Sequence, residues 1–260
     1  YMKKNPFGKN GDFITSPNIS ILFSEMLSIW TVAFWENLKS PKKINLIDLG
    51  AGNGQMIYDM INSLKNFSNF FDSCNFFILE KSPHLRKIQK QKLKNFNIKW
   101  IDDLKELNSG YNIFIANEFF DALPIKQFFK IKNKWKERFV ILDKNNKRNF
   151  LDISSNIKKL EKKLKFKISK NQKIIEYSPL AVKYLKKISK KINSKKGALL
   201  IIDYGYISKE MKNTLMAIKN HSVKNVLDEV GKADITYHLN FKVLEKIIKN
   251  FKVKCQGITT

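Results

Sequence analysis

Cysteine occurs only twice in 260 residues, as Cys74 and Cys255, too few and too far apart for a disulfide framework or a Cys-x-x-Cys pair. A reducing compartment follows as the expectation. Histidine is almost as scarce: His84, His221 and His238 are scattered, no metal-ligand spacing forms, and no metal is expected. Long apolar runs are missing too. Stretches such as Phe76 to Leu79 and Ala198 to Ile202 fall far short of the roughly 20 residues a bilayer requires, so no membrane span is expected. What remains is one soluble globular domain, or one domain with an insertion. Tyr1 to Lys9 is polar and lacks the apolar core of a secretory signal. The first residue is not Met and the last, Thr260, ends a strand-like run, so a fragment of a longer chain is expected.

Arginine is nearly absent, with Arg86, Arg138 and Arg148 its only occurrences, yet 49 Lys+Arg face 23 Asp+Glu for a net charge of +26. Such an excess ordinarily points to nucleic acid or an acidic membrane. Here it is almost all lysine and travels with abundant Asn, Ile and Phe, the signature of an AT-rich genome. Stretches such as Lys158 to Lys167 alternate charged and apolar residues at helical spacing, which reads as a solvated helix face. Nucleic acid is kept as the lesser partner reading. The bacterial-looking composition places the protein in the cytoplasm, or in the mitochondrial matrix if the source is eukaryotic.

Five short apolar runs, Ile44 to Leu49, Phe76 to Leu79, Ile98 to Ile101, Ile113 to Ala116 and Ala198 to Ile202, read as strands covered on both faces. Between the first two, Met56, Ile57, Met60, Ile61 and Leu64 repeat at helical spacing. Between the second and third, Ser82 and Pro83 open a helix with Leu85, Ile88 and Leu93 as its buried stripe. Strand and helix alternate, so right-handed crossovers give an α/β fold: a doubly wound, mostly parallel sheet. About eighty residues separate the fourth and fifth runs, too many for one crossover, and imply an inserted hairpin and helical subdomain. Phe128 to Ile131 and Arg138 to Leu142, joined through Lys132 to Glu137, form the expected hairpin. An amphipathic helix is expected over Ile153 to Phe166, the crossover helix over Tyr177 to Ile192, a further helix over Phe241 to Phe251, and a sixth strand from Val253. Three segments result: 1–125, an insertion over 126–175, and a second half over 176–260.

Glycine is also scarce, ten in 260 or about 4% against a typical 7%, yet Gly50, Gly52 and Gly54 fall within five positions, directly after the first strand and before a helix. There they let the backbone turn tightly and let a ligand approach where a Cβ would intrude. A dinucleotide fingerprint is Gly-x-Gly-x-x-Gly, and this third glycine comes one residue early. Asp48-Leu49-Gly50-Ala51-Gly52-Asn53-Gly54 instead resembles motif I of class I S-adenosylmethionine-dependent methyltransferases, and adenosine without a pyrophosphate fits better. Glu80, ending the second strand, stands where a carboxylate accepts from both ribose hydroxyls. Asp102 and Asp103, past the third strand, stand where one receives the adenine amino group. The fourth strand ends in Asn117-Glu118-Phe119-Phe120-Asp121-Ala122-Leu123-Pro124. Nucleic-acid amino-methyltransferases there resemble Asn/Asp-Pro-Pro-Tyr/Phe, whereas this segment carries two carboxylates, which suit a cationic acceptor. An arginine guanidinium stays protonated and is oriented by forked hydrogen bonds to carboxylates. Glu118 and Asp121 are therefore the candidate catalytic residues, with Asp121 alternatively capping the next helix. Asn117 is grouped with the cofactor side.

Taken together, these motifs resemble the MidA-like S-adenosylmethionine-dependent methyltransferases. The resemblance runs from Pro6-Phe7-Gly8 and Gly11 to Pro17 through the glycine motif, Leu79 to Arg86, Ala116 to Pro124, Trp135 with Glu137-Arg138, and Asp203-Tyr204-Gly205 to Ala233-Asp234-Ile235-Thr236. The Asn-Glu-Phe-Phe-Asp-Ala-Leu-Pro string is highly specific; the glycine string alone is not. Where the family carries Gly-Pro-Gly-Arg-Gly, this chain has Ala51 and Asn53. The resemblance implies a class I methyltransferase with a Rossmann-like fold, S-adenosyl-L-methionine as cofactor, and a protein arginine as acceptor, as on a respiratory complex I subunit. It implies Thr15, Ser16, Asp203, Tyr204, Asp234 and His238 as residues lining the acceptor cleft. It also implies family members that begin before Tyr1 and continue beyond Thr260. Two rival readings stay open: a basic rRNA or tRNA methyltransferase, and an assembly factor that kept the fold without turnover.

Overall fold

A computed structural model describes residues 16–107, 110–219, 222–228 and 230–259. The described residues fall into two compact units, one running to Phe119 and taking in Lys190–Ile202, the other comprising Phe120–Ser189 and the chain from Asp203. In chain order the elements begin with α1 (Ser16–Ile19), α2 (Ile21–Asn37), β1 (Ile44–Leu49), α3 (Gln55–Leu64), α4 (Ser68–Ser73), β2 (Cys74–Leu79), α5 (Pro83–Lys92), β3 (Ile98–Ile101) and β4 (Tyr111–Asn117). Then come β5 (Lys126–Ile131), β6 (Lys134–Leu142), β7 (Arg148–Ser154), α6 (Ile157–Leu164), β8 (Ile174–Tyr177), α7 (Pro179–Lys195) and β9 (Gly197–Ile202). The chain closes with β10 (Gly205–Tyr206), β11 (Met216–Lys219), β12 (Ser222–Lys224), β13 (Asp234–Thr236), β14 (Leu239–Asn240) and α8 (Phe241–Asn250).

The first unit is built on a five-stranded sheet of order β3-β2-β1-β4-β9, every pairing parallel. Its five strands are the five apolar runs, as expected for a sheet covered on both faces. Ile44 and Leu46 on one face of β1 and Ile47 and Leu49 on the other are all buried. The first pair joins a core with Leu27, Val32 and Trp35 of α2 and with Met56, Ile57, Met60, Ile61 and Leu64 of α3, the α3 stripe that its helical spacing indicates. Helix α2 has no such stripe in sequence: its buried face includes Ser24, Ser28 and Thr31, whose hydroxyls lower its contrast. In α5, Ser82 caps as expected, its Oγ accepting from Leu85 N–H at 3.2 Å. The buried stripe differs, however: Leu85 and Leu93 are joined by Gln89, wholly buried, while Ile88 is half-buried.

The second unit holds a four-stranded antiparallel sheet of order β7-β6-β5-β8. Four expectations need correction here. The hairpin connection is not Lys132 to Glu137 but two residues, Lys132 and Asn133, both at positive φ (47° and 60°); such a turn matches the twist of its strands, and Ile131 pairs directly with Lys134. Ile153 opens no helix, because it pairs with Glu137 in the β6–β7 ladder; strand neighbours override helical spacing, and the helix starts at Ile157. Tyr177 ends β8, leaving Pro179 to open α7. The sixth strand expected from Val253 does not form among the described residues: an extended run becomes a strand only when a neighbour's backbone pairs with it, and no described strand does so there. The helix expected over Phe241 to Phe251 forms over Phe241–Asn250, with Asn240 as its cap and Phe251 just past its end.

Candidate active site

In the first unit the strand order reverses between β1 and β4. Ligands of open parallel sheets sit outside the carboxyl ends at that point. There β1 runs into Gly50, Gly52 and Gly54, at φ 74°, 55° and 80°, the left-handed region that glycine enters without penalty. Gly50 N–H donates to the Leu79 carbonyl at 2.9 Å and Gly54 N–H to Ala51 at 2.8 Å, so the turn is tied to the end of β2 and to itself. A Cβ on Gly50 would lie 2.8 Å from the Phe119 ring, which places the residues just after β4 against the turn.

Glu80 is buried just past β2, its Oε1 accepting from Ser82 N–H at 2.8 Å and its Oε2 from Gln89 Nε2 at 3.1 Å. Each oxygen keeps a further lone pair. Asp48, on β1, is 2% exposed, and burial, then the charge of Glu80, push its carboxyl up to about 8. Its Oδ2 and the Oδ1 of Asn117, at the end of β4, are buried without a hydrogen-bond partner, unusual for a folded interior unless a ligand or water meets them. Glu118 follows at φ 47°, with its backbone N–H donating to Ile202 at 2.8 Å. Asp102 is exposed and pairs with Arg86 at 3.0 Å, while Asp103 caps the short turn Leu104–Glu106 and accepts from Lys105 N–H at 2.9 Å. A cradle that side chains would fill, a buried carboxylate with spare lone pairs and two orphaned oxygens suit an adenosine group.

Within the second unit, Asp121 and Asp203 are neighbours. Asp203 Oδ2 accepts from the backbone N–H groups of Phe120 (3.1 Å) and Asp121 (3.2 Å), and its Oδ1 from Tyr204 N–H (2.9 Å). It thus anchors the turn that carries Asp121. Thr236 Oγ1 donates to Asp121 Oδ2 at 3.0 Å, and the Tyr237 hydroxyl donates to the Phe120 carbonyl at 2.9 Å. Burial raises both carboxyls, Asp203 to about 8 with the charge of Asp121 adding to it. Asp234 opens β13 and is half-buried, whereas Tyr204 and His238 are exposed. Thr15 lies outside the described residues, and of Ser16 only the backbone is described. Sequence reasoning missed Asp48, Phe119 and Gln89. The signal for Gln89 was its place midway between Leu85 and Leu93, four residues from each.

The family described as "Putative S-adenosyl-L-methionine-dependent methyltransferase" matches residues 26–259. The mitochondrial protein arginine methyltransferase NDUFAF7 of Xenopus laevis is 31% identical over 298 aligned residues, covering 100% of this chain and 64% of that protein. Its human counterpart is 28% identical, covering 95% of this chain and 61% of that protein. The chain therefore spans just under two thirds of the length of these relatives. Both are named as mitochondrial, so the cytoplasmic expectation finds no support among them. In fold, the chain is similar to a crystal structure from Burkholderia thailandensis bound to S-adenosyl-homocysteine, at TM-score 0.78 and 23% identity over 95% of this chain and 66% of that one. A native structure from the same organism gives 0.76 and 22% over 96% and 68%. Among the described residues no helix is long and apolar enough to cross a membrane. With a match over nearly all of its length and 31% identity to a relative along the whole of it, this chain belongs to the S-adenosyl-L-methionine-dependent methyltransferase family that its motifs resemble.

Proposed function

We propose that this chain binds S-adenosyl-L-methionine at the carboxyl edge of its parallel sheet and methylates the guanidinium of a protein arginine. When bound, the cofactor supplies the methyl group. The glycine turn admits the adenosyl group, Glu80 accepts from the ribose hydroxyls, Asp102 and Asp103 serve the adenine edge, and Asn117 Oδ1 gains a donor. Glu118 and, three residues on in sequence, Asp121 hold the acceptor guanidinium, whose charge a carboxylate matches. Asp203 keeps the Asp121 turn in place, and Asp234, Tyr204 and His238, with Thr15 and Ser16, contribute to acceptor recognition. The observation that carries this reading is Glu118 itself: a glutamate directly after the strand end that faces the glycine turn, held in a left-handed backbone conformation, a costly state that clusters at active sites and that the surrounding structure must impose. Relatives named as protein arginine methyltransferases support a protein acceptor, and the family resemblance favours a respiratory complex I subunit, in mitochondria where the source is eukaryotic.

Calorimetric titration with S-adenosyl-L-methionine and with NAD, followed by mass spectrometry of methylated peptides from cells with and without the protein, tests it. Glu118→Gln is expected to keep cofactor binding and to lose about 100-fold or more in methyl incorporation, the scale of removing one preorganised electrostatic partner. Undiminished incorporation in that variant, methyl appearing in nucleic acid and not in protein, or NAD binding without S-adenosyl-L-methionine binding would overturn the reading.

A further inference from the structure

Gln89 is a polar side chain with no exposed surface, at the centre of the buried stripe of α5. A buried amide left unpaired costs about 1–3 kcal/mol, and this one is fully engaged. Its Nε2 donates to the Gly52 carbonyl at 2.8 Å and to Glu80 Oε2 at 3.1 Å, and its Oε1 accepts from the Trp100 indole N–H at 3.0 Å. A Cβ on Gly54 would lie 3.5 Å from Gln89 Cγ, so α5 also packs on the end of the glycine turn. One side chain joins the turn after β1, the carboxylate after β2 and the indole of β3.

The orientation of this amide is not arbitrary. Indole N–H is a donor only, so Trp100 must face the amide oxygen, and the two amide hydrogens must then face Gly52 and Glu80. With Ser82 N–H on the other carboxylate oxygen, both oxygens of Glu80 are held by fixed donors. A freely rotating carboxylate would have to be ordered each time a ligand bound; this one is ordered beforehand.

We propose that Gln89, oriented by Trp100, is the positioning residue that presents Glu80 to the two ribose hydroxyls of the adenosyl group. The proposal rests on the adenosyl reading above and adds how this chain sets the affinity and geometry of that site. Gln89 need not touch the ligand. It acts through Glu80.

Calorimetric titration of S-adenosyl-homocysteine into the full chain tests it. Gln89→Leu is expected to weaken binding about 10-fold or more, the value of one hydrogen bond to a charged group. Added to Glu80→Gln, it is expected to cost less than about 2-fold further, because removing the group it acts through leaves it nothing to position. Gln89→Glu gives the readout that simple loss of packing would not. A glutamic acid donates to Glu80 only while protonated, so its affinity should approach the wild type near about pH 5.5 and fall toward about pH 8.5, while the wild type stays flatter. Wild-type affinity in Gln89→Leu, penalties that multiply in the double variant, or a Gln89→Glu affinity that follows the wild type across pH would each overturn the proposal. If Gln89→Leu does not fold, the Gln89→Glu pH series decides alone. A wild-type chain that takes up no S-adenosyl-homocysteine overturns the adenosyl reading itself, an outcome distinct from a binding chain indifferent to residue 89.

Discussion

Asp48 carries a carboxyl into the wholly buried strand β1, next to its last residue, where burial and the nearby charge of Glu80 push it up to about 8. A carboxyl that titrates higher in the folded chain than in the unfolded one favours folding while it keeps its proton. That contribution is complete below about pH 4, the unfolded value, and is lost as pH rises through 8. Asp203, also raised to about 8, acts in the same sense. Thermal melts at intervals between about pH 5 and pH 9 should show the midpoint falling for the wild type and falling less steeply for Asp48→Asn; an equal slope in both would show that Asp48 is ionised in the fold. Gly50→Ala is a different kind of perturbation, since alanine must adopt φ 74° with its Cβ 2.8 Å from the Phe119 ring. It is expected to lower stability by about 1–3 kcal/mol, read from the denaturant midpoint, and to weaken S-adenosyl-homocysteine binding as Phe119 is displaced.

At the scale of elements, periodicity decided much and neighbours decided the rest. The all-buried strands and the α3 stripe were legible because each element's own residues carry the pattern, and Ser82-Pro83 announced α5 because a cap and a first-turn proline are local signals. The β5–β6 turn was not legible. Lys132-Asn133 lacks the Asn-Gly signature of two-residue turns, yet the paired strands force both residues to positive φ. Replacing the pair by Asn-Gly is expected to stabilise the second unit by about 1 kcal/mol, since asparagine enters the left-handed region at 132 more readily than lysine and glycine enters it at 133 without penalty; chemical denaturation of the double variant checks this. The candidate site divides in the same way. Gly50, Gly52, Gly54, Glu80 and Asn117 stood out by composition and by position after strands, whereas Gln89 looked like one more polar helix residue until α5 turned it inward.

Over the whole molecule, a net charge of +26 sets like charges against one another in the compact state, and salt screens them over about 10 Å at 0.1 M. The thermal midpoint should therefore rise as sodium chloride goes from about 0.05 to about 0.3 M; a fall would mean that attractive pairs such as Arg138–Asp152, at 2.8 Å, outweigh the repulsion. Ligand linkage acts at the same scale. S-adenosyl-homocysteine at about 100 times its Kd adds about 2.7 kcal/mol to a chain that binds it only when folded, a shift that differential scanning calorimetry resolves.

By itself the sequence determined five buried strands of a mostly parallel sheet, the helices between the first three, and the glycine turn after the first, because runs of apolar residues and clustered glycines act through their own backbone and immediate neighbours; the order of those strands in the sheet came from the tertiary structure. The tertiary structure alone decided that Gln89 reaches Gly52, 37 residues away, that Asp203 holds a turn 83 residues before it, and that the run from Val253 stays unpaired among the described residues. Hydrogen bonds between residues so far apart depend on how strands and helices are brought together, and local periodicity holds no record of that.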